Sequence, residues 1–359
     1  MSRHAVFDGL RRLLTPLAGA VATPRVPADY LDLFAPLRSG THRARVVDVQ
    51  PETDACVTLV LQPAGRWPGH RAGQSVRLGV EVDGVRLWRS YSLTAPPGPD
   101  GMLRVAVSAI PGGRASGYLV HRVRPGTVVG LEGPDGDFGW TDPMPAKALF
   151  VTGGSGITPV IGMLREAIGR DLLPDVVVVH SARAGEGVIF GTELREWHRQ
   201  GRLRLVERHT ATDGRLDAAQ LSALVGDLAE RETWACGPNG LVDLVTALAE
   251  EQGRAANLHT ERFRPVVTVA GEGGSVTFAR SGRTVTTDGT TTLLTAGEAA
   301  HVPLPSGCRM GICFRCVVPL AEGAVRDTRD GTLTTAEPGG AGYVQTCVSS
   351  AAGPCTLDA

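Results

Sequence analysis

Four cysteines near the C-terminus have the spacing of a metal-binding site. They are Cys308, Cys313, Cys316 and Cys347, in the pattern C-x4-C-x2-C followed by a distant fourth cysteine. Four thiolates at this spacing hold a [2Fe–2S] cluster, which carries one electron at a time. A zinc site and scattered structural cysteines are the alternatives, but structural zinc usually takes two close pairs of ligands. The pattern therefore predicts an iron–sulfur centre that exchanges single electrons.

The composition is that of a globular protein with room for two or three domains. The chain has 359 residues, of which 42% are hydrophobic and 20% are charged. The net charge of −1 and the dispersed arginines argue against a nucleic-acid partner. Three further cysteines, Cys56, Cys236 and Cys355, lie far apart and are interpreted as reduced thiols, which favours a cytoplasmic localisation. No stretch approaches the roughly 20 apolar residues that cross a bilayer.

Residues 1–40 have a different character from the rest of the chain. Arg11 and Arg12 precede an apolar run over 13–22, and a Pro-rich stretch leads into a second apolar segment. We predict a helical extension that packs on the body of the protein. A targeting signal and a role at the membrane surface are the alternatives. An excess of arginine over aspartate in residues 1–45 is compatible with peripheral membrane contact.

The segment 41–141 reads as a small antiparallel β-barrel. Dense β-branched runs recur between glycine and proline turns, which is typical of sandwiches and barrels. The runs cover 45–49, 57–61, 75–80, 103–107 and 127–131.

Two motifs in this segment suit a phosphorylated flavin. The guanidinium fork of Arg89 matches a phosphate oxygen, Tyr91 offers a flat face to an isoalloxazine ring, and Ser92 can hydrogen-bond at the ring edge. Gly113 and Ser116 open a helix whose backbone N–H groups suit an anion. Each motif alone also fits an exposed arginine or an ordinary helix cap. Together they favour FAD, with FMN as the alternative.

In the segment 142–262, predicted strands alternate with predicted helices, which is typical of an α/β domain with a parallel sheet. A buried strand over 147–152 is followed by the glycine-rich turn Gly153–Pro159 and a helix. Such a unit cradles the pyrophosphate of a dinucleotide, although the turn is not the G-x-G-x-x-G fingerprint. Further strands are predicted over 175–180, 203–206 and 233–236.

Polar groups follow two of these strands. Cys236, Gly237 and Pro238 end one strand, where ligands gather in open α/β sheets, so the thiol is placed to contact a nicotinamide. The alternative is a buried structural cysteine. Ser181 and Arg183 follow another strand and suit an adenosine ribose or its 2′-phosphate. This favours NADPH as the donor over NADH.

Taken together, the motifs resemble a known family. Arg89–Thr94, Gly153–Pro159 and Cys236–Pro238, in this order and spacing, resemble the ferredoxin–NADP⁺ reductase superfamily. The C-terminal cysteine pattern resembles plant-type ferredoxins, and the fusion order resembles the reductase components of oxygenase systems. The resemblance covers about residues 41–359.

The resemblance implies roles for the flavin residues. Arg89 would bind flavin phosphate, Tyr91 would stack on the ring, and Ser92 would lie near the reactive flavin nitrogen. Gly113 and Ser116 would approach the flavin diphosphate.

It also implies roles on the nicotinamide side. Gly154, Gly156 and Thr158 would approach the dinucleotide, and Cys236 would lie beside the hydride-donating carbon. Glu261 resembles the acidic residue that many members keep near the flavin.

The expected architecture has four parts. They are a helical extension (1–40), an antiparallel β-barrel flavin domain (41–141), an α/β NAD(P) domain with a parallel sheet (142–262) and an α+β, β-grasp ferredoxin domain (263–359).

The expected function follows from the same resemblance. The segment 29–37 and the Cys-Arg-Met-Gly-Ile-Cys run look most like reductases that serve acyl-CoA or fatty-acid desaturases, although Phe314 stands where a polar residue is expected. We predict a reductase that passes electrons from NADPH through FAD and the cluster to a fatty-acyl desaturase. The alternatives are the reductase of a soluble mono- or dioxygenase and a redox-sensing module without sustained turnover.

Overall fold

The computed structural model describes residues 42–65, 67–263, 268–307, 309–311, 314–340 and 342–359. The helical extension predicted for residues 1–40 lies outside these residues. Residues 43–359 form one compact unit.

The N-terminal part of this unit is a six-stranded sheet. Its strands follow the order β4-β3-β6-β1-β2-β5, and the pairs β1–β2, β2–β5, β3–β4 and β3–β6 are antiparallel. The elements are β1 His42–Thr53, β2 Cys56–Pro63, β3 Ser75–Val82, β4 Val85–Ser92, β5 Leu103–Ser108, α1 Arg114–His121 and β6 Val128–Asp135.

The two outer strands of this sheet meet and close it. Leu93, just beyond β4, forms a bridge with Val105 of β5, and the N–H of Thr94 donates to the carbonyl of Arg104 at 2.8 Å. Closure leaves an interior of leucine and valine side chains, including Leu59. The predicted antiparallel barrel is confirmed.

The middle part is a parallel sheet with the order β11-β10-β7-β8-β9. Its strands are β7 Lys147–Gly153, β8 Asp175–Ala182, β9 Arg204–His209, β10 Glu232–Cys236 and β11 Leu258–Glu261. Its helices are α2 Ile157–Gly169, α3 Gly191–Arg199, α4 Thr210–Asp213, α5 Ala218–Leu224 and α6 Asn239–Glu251. The chain connections reverse direction at β7, so a ligand cleft is expected at the carboxyl ends of β7 and β10.

The C-terminal part is a mixed sheet with one helix. β12 pairs in parallel with β17, while β14 pairs antiparallel with β15, β16 and β17. The elements are β12 Gly274–Phe278, β13 Arg283–Thr287, α7 Leu293–Ala299, β14 Val317–Asp327, β15 Leu333–Ala336, β16 Gly342–Gln345 and β17 Ser349–Leu357. This is the α+β ferredoxin domain that the sequence predicted.

Helix α2 joins the parallel sheet to the barrel by close backbone packing. A Cβ atom at Gly162 would lie 2.6 Å from the carbonyl oxygen of Leu93. Beside it, Arg165 donates through Nη1 to the carbonyl of Thr94 at 2.7 Å and through Nε and Nη2 to the two carboxylate oxygens of Glu193. The end of β4 is therefore held directly against the helix that follows the glycine-rich turn.

This packing predicts that Gly162→Ala loosens the contact between barrel and parallel sheet. The new methyl group must displace the Leu93 carbonyl, and such overpacking costs about 1–3 kcal/mol. Gly169 in the same helix has open space around its Cβ position, so Gly169→Ala is the matched control. We expect Gly162→Ala to unfold at lower denaturant concentration than Gly169→Ala. Equal midpoints would contradict the tight contact.

Candidate functional site

The end of β4 presents two buried hydroxyl groups without hydrogen-bond partners. Tyr91 Oη and Ser92 Oγ have none within the described part of the chain. Burial raises the pKa of Tyr91, partly offset by the positive charges of Arg89 and Arg309, so its hydroxyl keeps its proton. Buried polar groups are normally paired, so two neighbouring unpaired ones indicate a ligand surface. They fit the ring of a flavin.

Arg89, the predicted phosphate ligand, lies in an arginine cluster around one carboxylate. Its guanidinium is 3.1 Å and 3.3 Å from the two carboxylate oxygens of Glu298 in α7. Arg114 donates to the Glu298 carbonyl at 3.2 Å, and Arg309 also bonds to the Glu298 carboxylate. Sequence reasoning assigned no role to Arg114, Arg309 or Glu298. The structure brings them together across the boundary between barrel and ferredoxin domain.

The helix that was predicted to face the flavin diphosphate begins beside this cluster. Gly113 is the N-cap of α1, and a Cβ there would lie 2.5 Å from the Ser116 hydroxyl. That hydroxyl donates to the Gly113 carbonyl and accepts from the Ile110 N–H, both at 3.3 Å. Ser116 therefore closes its own turn, and Arg114 extends from this turn towards Glu298.

Two glycine motifs meet at the carboxyl ends of β7 and β10. A Cβ at Gly156 would overlap the carbonyl of Cys236, and one at Gly237 would lie 2.9 Å from the N atom of Gly153. Because backbone touches backbone, a larger residue at either position would separate the strands' ends. The packing brings the predicted dinucleotide turn and the predicted nicotinamide cysteine to one place.

The remaining residues of these motifs shape the turn. Gly154 has a φ of +53° in the left-handed region that favours glycine. The buried hydroxyl of Thr158 donates to the Ser155 carbonyl at 2.9 Å, and Pro238 is the residue that precedes α6.

Cys236 and Glu261 form a buried pair on neighbouring strands. They are register partners in β10 and β11, and burial raises the pKa of the Cys236 thiol well above its usual range. Burial, with the negative charge of Asp137, raises the pKa of Glu261 to about 8. One carboxyl oxygen of Glu261 has no hydrogen-bond partner among the described residues. Near neutral pH this carboxyl holds a proton and presents a donor.

The residues predicted to bind adenosine lie at and beyond the end of β8. Ser181 Oγ is buried without a partner in the described ranges, and Arg183 is exposed. Sequence reasoning missed the adjacent His180, which is fully buried and bonds to Thr152 Oγ1 at 2.8 Å. Burial lowers the pKa of His180 to about 4, so this ring stays neutral.

Two of the four predicted cluster ligands lie side by side. Cys316 Sγ and Cys347 Sγ are 3.2 Å apart, which is longer than the roughly 2.05 Å of a disulfide. The Cys347 thiol lowers the pKa of Cys316, which favours the thiolate that binds metal. Cys308 and Cys313 lie outside the described residues. The pair that is placed suits two ligands of one metal centre.

The cluster-binding loop comprises residues 306–307, 309–311 and 314–316. It is hydrogen-bonded to the rest of the ferredoxin domain at Gly311. The Gly311 carbonyl accepts from Arg329 at 3.1 Å and from Gln345 at 2.9 Å, and its φ is +76°. Phe314 in the same loop is 67% exposed. The unexpected apolar residue therefore lies on the surface of the loop.

The same loop also contacts the barrel through a second carboxylate. Glu132 of β6 accepts from Arg77 of β3 at 2.5 Å and from Arg315 at 2.6 Å, and Arg77 also donates to the Ser306 carbonyl at 2.6 Å. Both arginine–carboxylate groups hold the cluster-binding loop on the barrel beside Tyr91. This arrangement brings the flavin surface and the cluster ligands together.

Comparison with known proteins identifies the three parts. Three protein-family models match in order: an oxidoreductase FAD-binding domain at residues 55–140, an oxidoreductase NAD-binding domain at 150–247 and a 2Fe-2S iron-sulfur cluster binding domain at 276–352.

Two curated relatives align with most of this chain, and one solved structure is similar to it in fold. An NADPH oxidoreductase of Mycobacterium tuberculosis is 45% identical over 363 residues, which cover 99% of this chain and 93% of the relative. The glycine betaine monooxygenase reductase subunit of Pseudomonas aeruginosa is 29% identical, with 89% of this chain and 96% of the relative covered. The structure of phthalate dioxygenase reductase is similar in fold, with a TM-score of 0.65 at 21% identity over 89% of this chain and 98% of that one.

Among the helices of the described residues, none combines the length and apolar character that spanning a membrane requires. The buried hydroxyls, the arginine cluster, the glycine backbone contact and the paired thiols each fit one of the matched cofactor domains. The chain belongs to the ferredoxin–NADP⁺ reductase superfamily, in the group with a C-terminal [2Fe–2S] domain, and is an electron-transfer oxidoreductase that uses FAD and NAD(P)H.

Proposed function

We propose that this reductase takes electrons from NADPH and delivers them, through FAD and the [2Fe–2S] cluster, to an iron-dependent oxygen-activating enzyme. A fatty-acyl desaturase is the first candidate for this acceptor, and a soluble mono- or dioxygenase is the second. The main support for this electron path is the contact of the cluster-binding loop with the barrel through Glu132 and Glu298. It supports a short path from the flavin surface to the cluster.

The chemistry that a bound flavin supplies is the conversion of a two-electron hydride donor into a source of single electrons. In our proposal this chain's residues bind and orient it. Arg89 binds its phosphate. Tyr91 packs on the ring and donates a hydrogen bond through its hydroxyl group, and Ser92 forms a hydrogen bond at the ring edge. The orphaned hydroxyls of Tyr91 and Ser92 support these roles.

The nicotinamide half of the proposal rests on the contact between the two glycine motifs. Gly154, Gly156 and Thr158 approach the dinucleotide, Gly237 and Pro238 shape the opposite wall, and the buried Cys236 thiol lies where the nicotinamide arrives. Because this thiol has a raised pKa, it remains neutral and does not oppose the approach of a hydride.

The adenosine end is assigned to Ser181 and Arg183. The buried, unpaired Ser181 hydroxyl suits a ribose or phosphate oxygen, and the exposed Arg183 suits the 2′-phosphate that distinguishes NADPH from NADH. The M. tuberculosis relative is named as an NADPH oxidoreductase, which supports the same electron donor.

The first candidate acceptor rests on a resemblance in sequence. The segment 29–37 and the Cys-Arg-Met-Gly-Ile-Cys run look most like reductases that serve acyl-CoA or fatty-acid desaturases. The reductase names of the oxygenase-linked relatives support the second candidate.

Anaerobic reduction tests the electron path and the ligand set. On titration with NADPH we expect the flavin absorbance to bleach first and a rhombic EPR signal of the reduced cluster to follow, with NADH less effective. Cys347→Ser should abolish the EPR signal and spare the flavin bleach. Cys355→Ser changes another buried cysteine of the same domain and should leave both signals. A bleached flavin beside a silent, intact wild-type cluster would contradict the path and favour the sensing module.

The buried carboxyl of Glu261 predicts a pH dependence of stability. Its pKa of about 8 lies above its ordinary value of 4.5, so between these values the folded protein binds more protons than the unfolded chain. The free energy of unfolding should therefore fall as the pH rises through this window. Glu261→Gln removes this titration, and its melting temperature should fall several degrees less between pH 5 and 8.

The control for this measurement is Glu251→Gln at an exposed position of the same domain. Its melting temperature should fall with pH as much as that of the wild type. If the melting temperature of Glu261→Gln also falls as much as that of the wild type, the Glu261 carboxyl is already ionised in the folded protein.

The acceptor proposal predicts a separable role for the N-terminal segment. Deletion of residues 1–38 should weaken electron delivery to a membrane-embedded desaturase severalfold, because the Arg-rich apolar segment then cannot meet the membrane or the partner. Reduction of cytochrome c by the same variant should stay at the wild-type rate. Unchanged desaturase coupling would count against the first candidate and favour a soluble oxygenase.

A further inference from the structure

The arginine cluster at the junction of barrel and ferredoxin domain has more positive than negative charge. Three guanidinium groups, those of Arg89, Arg114 and Arg309, bond to Glu298. The other carboxylate in contact is Asp83, whose side chain is 75% exposed and which pairs with Arg114 alone at 3.2 Å. Among the described residues, Glu298 is the one carboxylate that bonds to Arg89 and Arg309. Surplus positive charge at a half-buried position favours the binding of a further anion.

Among the three arginines around Glu298, Arg309 is the one with a buried nitrogen that lacks a hydrogen-bond partner among the described residues. Its side chain is 19% exposed, and the nitrogen without a partner is Nε. Its backbone also has a φ of +64°, which is uncommon for a residue with a side chain. A buried cation beside a like charge is costly unless more than one anion compensates it.

The location of Arg309 points to the flavin. Its positive charge acts on the Tyr91 hydroxyl together with that of Arg89, and it shares the Glu298 carboxylate with Arg89. It is therefore close both to the tyrosine assigned to the ring and to the arginine assigned to the phosphate. Arg315, the other arginine of this loop, bonds instead to Glu132.

We propose that Arg309 is a binding residue for the phosphate groups of FAD, contributed by the ferredoxin domain to the flavin site of the barrel. The proposal rests on the assignment of Arg89 as a phosphate ligand. Glu298 holds the two guanidinium groups side by side, and the unpaired Nε–H of Arg309 is a donor available to a phosphate oxygen. The flavin site is then complete only when the cluster-binding loop is docked, so FAD binding and docking stabilise each other.

The test compares FAD with riboflavin, which has the same ring and no phosphate. Flavin is removed from the full chain, and the content of [2Fe–2S] cluster is checked by visible absorbance. FAD and riboflavin are then titrated separately, and binding is followed by fluorescence. For Arg309→Gln we expect FAD affinity to fall about 10- to 100-fold, the range for a lost charge-assisted hydrogen bond. Riboflavin affinity should stay within about twofold, since riboflavin does not meet this charge.

Arg280→Gln is the control, because it removes an arginine of the ferredoxin domain that is 69% exposed and pairs with Asp358 of the same domain. It should leave the ratio of FAD to riboflavin affinity unchanged. Arg89→Gln should lower that ratio as Arg309→Gln does. Where the glutamine variant at 309 fails to retain its cluster, Arg309→Met gives the same comparison with a neutral side chain.

Three results would overturn the inference. Equal losses of FAD and riboflavin affinity in Arg309→Gln would mean that Arg309 acts only through docking. An unchanged ratio in Arg309→Gln, with a lowered ratio in Arg89→Gln, would remove Arg309 from the site and leave the proposed function intact. An unchanged ratio in both variants would instead reject the phosphate assignment itself.

Discussion

The arrangement of this molecule depends on two carboxylates that each accept from arginines of two domains. Glu298 joins Arg89 of the barrel to Arg309 of the cluster-binding loop, and Glu132 joins Arg77 to Arg315. Exposed ion pairs contribute about 0–1 kcal/mol, but removing one partner of a buried pair costs about 3–5 kcal/mol. Both carboxylates are mostly buried, but the Arg315 side chain is 52% exposed, so the pairs with Arg77 and Arg309 are closer to the stronger class than the Arg315 pair is. They keep the cluster-binding loop on the flavin surface.

A second constraint is close backbone contact, both between the barrel and the parallel-sheet domain and within the parallel-sheet domain. Gly162 of α2 leaves room for the Leu93 carbonyl, and Gly156 leaves room for that of Cys236. Glycine is required at both positions because any Cβ would meet a main-chain atom, which cannot move aside as a flexible side chain can. The glycine-rich turn, Cys236 and the end of β4 are thereby held close together.

The site retains polar groups that the fold itself does not satisfy. Tyr91, Ser92, Ser181 and Glu261 have buried oxygens without partners among the described residues. An unsatisfied buried polar atom costs about 1–3 kcal/mol, so several together are a substantial cost to stability. They are residues that we propose to lie at the FAD and NAD(P)H sites. Ligands that supply the missing partners would recover this cost as binding free energy.

The sequence by itself determined the chemistry and many elements of the first two domains. Local spacing identified the cysteine pattern, and periodicity identified four of the five parallel strands and five of the six barrel strands, all but β4. Strand β11 was missed because its four residues, Leu258–Glu261, are only partly buried and contain no apolar run. The grouping of Arg89, Glu298 and Arg309 was decided only by the tertiary structure. Pairing between distant residues leaves no local periodicity, because it depends on how the domains pack and not on what neighbours each residue along the chain.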